Sequence, residues 1–72
     1  MSPEPGITIS EARRFLNSRG ANVRMTAVNG PQIEAKYKDG PWLYVSWIEN
    51  GEVSPYNVVS WVNMNIENKA SE

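Results

Sequence analysis

Turn residues divide the middle of this chain into segments of strand length. They are Asn29-Gly30-Pro31, Asp39-Gly40 and Asn50-Gly51. Of the stretches between them, "QIEAKYK" alternates apolar and charged residues and "PWLYVSWIE" is rich in β-branched and aromatic ones. Asn-Gly and Asp-Gly adopt the left-handed conformations that tight hairpins require. A succession of antiparallel hairpins is therefore expected, and the remaining segments must fit around it.

The hairpins predict specific registers. "NVRMTAV", residues 22–28, places Val23, Met25 and Ala27 on one side. "QIEAKYK", residues 32–38, sets Ile33, Ala35 and Tyr37 against Glu34, Lys36 and Lys38. Joining the apolar sets pairs Ala27 with Ile33, Met25 with Ala35 and Val23 with Tyr37. That register calls for a three-residue loop with a left-handed third residue, a conformation closed to Pro31. A wider loop is expected there. A two-residue turn at Asp39-Gly40 puts Tyr37 opposite Trp42 and Ala35 opposite Tyr44. The turn at Asn50-Gly51 pairs Ile48 with Val53, Trp47 with Ser54, Val45 with Tyr56 and Leu43 with Val58. Pro55 confines the fourth strand to an edge. "YNVVSWVNMNI" is β-branched and favours a continued strand. The rival is a helix opening at Ser54-Pro55, because proline suits the first helical position.

One helix precedes the strands. Thr8 and Glu11 have the spacing of a capping box. From there a helix over residues 9–19 carries Ile9, Ala12, Phe15 and Leu16 on one face. Arg13, Arg14, Asn17 and Ser18 lie away from that face. Gly20 is its expected left-handed stop, with Arg19 in the last turn. Three turns of helix are marginal alone and must dock. The expected fold is α+β: one short N-terminal helix packed on a four-stranded antiparallel meander sheet, with a small SH3-like barrel as the alternative. Residues 1–6 form a lead-in, 7–66 the single domain and 67–72 a tail.

These registers give the sheet two apolar faces. One carries Val23, Met25, Ala27, Ile33, Ala35, Tyr37, Trp42, Tyr44, Ile48 and Val53, and the helix covers it. The other carries Glu34 and Lys36, then Leu43, Val45, Trp47, Tyr56 and Val58. One helix cannot cover both. The second face meets the C-terminal segment, a barrel closure, a second copy or another protein. A small monomer rarely exposes so large a patch, and Trp, Tyr and Arg dominate binding hot spots.

Composition narrows the chemistry. The chain has 72 residues, no cysteine and no histidine. A domain of this size buries only about 60% of the surface of its unfolded chain. Without cysteine there is no disulfide frame and no thiolate, which suits a reducing, cytoplasmic setting. Without histidine the commonest general base and metal ligand are missing. Glu49 and Glu52 flank a turn and read as solvated charges. Asp39, Glu49 and Glu52 lack the count and spacing of a metal site. No enzymatic activity, cofactor or metal is expected. "MSPEPG" lacks the basic start and apolar run of a signal peptide, and no apolar run spans a membrane. The chain reads as a complete small gene product.

Net charge is −1 but unevenly placed. Arg13, Arg14, Arg19, Arg24, Lys36 and Lys38 make residues 13–38 basic, and the remainder is acidic. The cations could meet nucleic-acid phosphates, with Tyr37, Trp42 and Tyr44 stacking bases. The acidic pI of 5.4 and the expected cover over those aromatics weigh against this.

"GITISEARRFLNSRG" followed by "GPWLYVSWIENGEVSP" resembles small bacteriophage proteins that redirect host machinery, most closely the phage-encoded inhibitors of bacterial RNA polymerase. The resemblance implies a protein partner, action by occluding or distorting a host contact, a location in the host cytoplasm and no cofactor. The expected function is a non-enzymatic protein-binding regulator of transcription. Leu43, Val45, Trp47, Tyr56 and Val58 are the candidate anchors, and Arg13, Arg14 and Arg24 the steering charges. An exposed edge strand could also accept a strand from the partner. The alternatives are a small nucleic-acid-binding domain and a homodimer closed through the second face.

Overall fold

The computed structural model describes residues 5–68, and the outer parts of the expected lead-in and tail lie outside them. A two-residue strand, β1 (Ile7–Thr8), leads directly into helix α1 (Ile9–Ser18). Strands β2 (Ala21–Thr26), β3 (Gln32–Tyr37) and β4 (Leu43–Trp47) form one antiparallel sheet in the order β2-β3-β4. A second short strand, β5 (Glu52–Val53), pairs with β1 as a separate ribbon. Helix α2 (Pro55–Val62) follows and passes into a π-helical turn, Asn63–Glu67.

The capping box at the start of α1 forms. The Thr8 N–H donates to Glu11 Oε1 at 2.9 Å, and the Glu11 N–H donates to Thr8 Oγ1 at 3.1 Å. Two backbone donors that the helix leaves orphaned are thereby satisfied. The helix ends one residue earlier than expected. Arg19 is its C-cap and stacks its guanidinium over the Phe15 ring at 4.6 Å. Gly20 takes φ +92 and turns the chain into β2.

The four-stranded meander does not form. The Asn50-Gly51 turn begins in the expected register, with Glu49 bridging Glu52, but the strand stops at Val53. Ser54 then caps a helix, its Oγ accepting from the Asn57 N–H at 3.2 Å, with Pro55 at the first helical position. The rival reading of this segment is the correct one. Its valines overrode β-propensity by what they bury: Val58, Trp61, Val62 and Ile66 all enter the core, at helical spacing. Nor does the sheet close into a barrel, since it remains three-stranded with β5 outside it.

The β2–β3 hairpin is displaced by two residues from the expected pairing. Met25 faces Ile33, Val23 faces Ala35 and Ala21 faces Tyr37. An even displacement keeps every side chain on its expected face. The loop is wide, as Pro31 requires, and Gly30 sits in it at φ +103.

The β3–β4 connection differs more consequentially. Near the turn Ala35 faces Leu43 and Glu34 faces Tyr44, one residue off the expected register. A bulge then restores the expected pairing of Ile33 with Ser46 and Gln32 with Trp47. The cause is Pro41. In a two-residue turn at Asp39-Gly40, residue 41 must donate its N–H to the carbonyl of Lys38, and proline has none. The turn instead closes with the Gly40 N–H on the Tyr37 carbonyl at 3.1 Å, and Lys38 takes the left-handed conformation, φ +56.

Both helices pack on one face of the sheet. Ala12 and Leu16 of α1, Val58, Trp61 and Val62 of α2, and Ile33, Ala35 and Val45 of the sheet belong to one buried cluster. The helices also touch each other. The opposite face carries no element among the described residues.

Candidate functional site

The open face is built by alternation along β3 and by the shifted register of β4. Pointing away from the helices are Arg24 of β2, Glu34 and Lys36 of β3, and Tyr44 and Trp47 of β4, with Trp42 beside them. The odd register at the turn flips Trp42 and Tyr44 onto this face. Sequence reasoning had put both beneath the helix. The signal that could have placed them correctly was Pro41.

The aromatics are ordered by charge and by each other. Arg24 lies over the Trp42 ring, 4.4 Å from its centroid, and Lys36 approaches the same ring at 6.0 Å. Arg24 also donates from Nε and Nη2 to Glu34 Oε1, both at 2.8 Å. A pair this exposed adds at most about 1 kcal/mol to stability. Its effect is to hold the Arg24 guanidinium over the indole of Trp42. Tyr44 and Trp47 meet in a tilted contact, centroids 5.5 Å apart and planes at 60°. They are 45% and 47% exposed.

Trp47 is seated by a glycine. A Cβ on Gly30 would fall 3.0 Å from Cζ3 of the indole, and its φ of +103 already disfavours any side chain. The wide β2–β3 loop thus closes under the ring. From Tyr44 the apolar surface continues round the β4 edge into a groove of about 400 Å³, shared with Leu43, Ser60, Trp61 and Met64.

The expected site residues are dispersed. Trp47 is exposed on the open face, as is Arg24. Val45 is the extra residue of the bulge and is only 3% exposed; Val58 is 1% exposed on the inner side of α2. Both are core residues, so neither is a surface anchor. Leu43 pairs with Ala35 on the covered side and is partly exposed at the groove. Tyr56 is exposed on the first turn of α2, away from the sheet strands. Arg13 and Arg14 lie on the solvent side of α1, across the molecule from Arg24.

Among the described residues no three His, Cys, Asp or Glu side chains are grouped to hold a metal, and no helix is long and apolar enough to cross a membrane. Comparison with known proteins found no matching family model, no matching curated protein and no matching solved structure.

Proposed function

We propose that this chain is a non-enzymatic protein-binding regulator that seats its partner on the open face of the sheet. One observation carries the reading: Trp42, Tyr44 and Trp47 share that face with Arg24 and Lys36, and no described element covers them. Tyr, Trp and Arg are the residue types that concentrate binding energy at interfaces. Here they are already held by a tilted ring contact and by cations beside the Trp42 ring, which lowers the entropy lost on binding. The cations favour a partner surface that is acidic around an apolar centre. The resemblance to phage-encoded inhibitors makes bacterial RNA polymerase, or one of its factors, the partner to test first.

The test is transcription by purified bacterial RNA polymerase, titrated with the native chain and with Trp47→Ala. The native chain is expected to bind and inhibit. Trp47→Ala should keep its circular dichroism spectrum and lose binding by roughly 30-fold or more, as hot-spot truncations do. An inert native chain, or a Trp47→Ala variant that inhibits equally, defeats the proposal.

A second reading has its own observation. Two cations flank Trp42, the arrangement of a base-stacking platform. Two cations release few counterions, so log K for single strands would fall with log salt at a slope of only about −1.4. Retention on single-stranded DNA with that slope, alongside indifference to the polymerase, would favour nucleic acid.

A further inference from the structure

Where the β3–β4 connection meets the end of α2, a cleft of about 300 Å³ opens between Tyr37, Lys38, Pro41, Leu43, Trp61 and Asn65. Its walls are chiefly rings and aliphatic carbons. Its volume is at the lower end of the range for small-ligand sites. Among the described residues, no aspartate or glutamate lines it.

Separate observations give this cleft a chemistry. Trp61 is 5% exposed, and its Nε1 is buried without a hydrogen-bond partner among the described residues. Buried polar groups are nearly always paired, and an indole N–H can only donate. The Asn65 amide is turned to the backbone instead, its Nδ2 donating to the Trp61 carbonyl at 3.0 Å, and its Oδ1 makes no bond to the indole N–H. Lys38, at the rim, is a lysine in left-handed backbone, φ +56. The Pro41 turn imposes that conformation, and it sets the lysine at the cleft. Its ammonium lies 5.2 Å from the centroid of the Tyr37 ring, one of the walls. The helix changes from α to π register after Val62, and Asn65 of the cleft lies in the π segment, a change frequent at functional sites.

We infer that this cleft binds a small carboxylate with an apolar, ring-sized body. The body fills the space between Tyr37, Pro41, Leu43 and Trp61. The carboxylate takes the charge of Lys38 and offers the acceptor that the Trp61 N–H lacks. The site is separate from the open face, because neither Trp47 nor Arg24 lines it.

The experiment titrates the full ¹⁵N-labelled chain with 3-phenylpropanoate and, in parallel, with 3-phenylpropanamide, its neutral isostere. The three indole N–H resonances report Trp42, Trp47 and Trp61 separately. The acid is expected to shift the Trp61 resonance saturably and leave the other two in place. The amide should bind about tenfold more weakly, since hydrogen bonds and contacts to a charged group are the stronger ones. Lys38→Gln should bring the acid down to the affinity of the amide. Trp61→Phe should weaken both ligands alike. If that core substitution does not fold, Lys38→Gln decides alone. The inference is overturned if no saturable Trp61 shift occurs up to the solubility of the acid. Equal binding of acid and amide, or a response at Trp42 or Trp47 instead, overturns it as well.

Discussion

Pro41 has more influence on this surface than any aromatic residue, though it is not part of the open face itself. By lacking an N–H it forbids the two-residue turn, moves the register by one and turns Trp42 and Tyr44 outward. Pro41→Thr restores the donor. The expected outcome is a second set of hairpin resonances in which Ala35 faces Tyr44. A single set with Ala35 still facing Leu43 would show that the bulge at Val45 holds the register unaided. Glu11 makes a different residue-scale prediction. Its hydrogen bonds to Thr8, backbone first and side chain second, hold its carboxyl below the ordinary value of 4.5, with Arg14 assisting. A carboxyl depressed on folding contributes stability that is complete above the unfolded value and is lost as pH falls through the folded one. Thermal stability should therefore decline as the pH is taken down through and below 4.5. Glu11→Gln, which can still accept the Thr8 N–H, should flatten part of that decline. An unchanged pH profile would mean that the cap contributes nothing to the pH dependence.

At the scale of elements, the legible parts were those whose signals are local. The capping box and Gly20 delimited α1 to within a residue, because cap hydrogen bonds are made by neighbours in sequence. Alternation defined β3 for the same reason. The second helix was harder. Val58, Val59 and Val62 argue for strand by propensity, and only the tertiary fact that Val58, Trp61 and Val62 reach one core settles it. The β1–β5 ribbon gave no local signal at all, since each strand has two residues. The candidate face was legible in kind, as an uncovered aromatic surface near Trp47. Two of its aromatics, Trp42 and Tyr44, were misassigned because their orientation depends on one turn. Two neighbouring valines test the account of α2. Val58→Ala empties a fully buried site and should cost about 2 kcal/mol in urea denaturation, while Val59→Ala, exposed, should be neutral or stabilising by about 0.5 kcal/mol. Similar losses at both positions would contradict the observed helix phase.

At the scale of the whole molecule, both helices lie on one side of the sheet and the aromatic face on the other. The residues that build the core and those on the open aromatic face are therefore different sets. The core is Leu16, Ile33, Val58, Trp61 and their neighbours, and none of these is on the open face. A net charge of −1 conceals the division. Arg24 and Lys36 hold their charges beside Trp42 on the open face. Glu49 and Glu52 sit at the far turn. If those cations guide a partner, Arg24→Glu combined with Lys36→Glu should slow association by about tenfold at low salt. The difference should shrink as salt rises toward 1 M, where screening reaches only about 3 Å. The melting temperature should move little, because Arg24 is half exposed and solvent screens its pair with the partly buried Glu34. Stopped-flow association against the purified partner, with melting followed in parallel, separates these effects. A loss of affinity through faster dissociation, with association unchanged, would place the two cations inside the contact rather than on its approach.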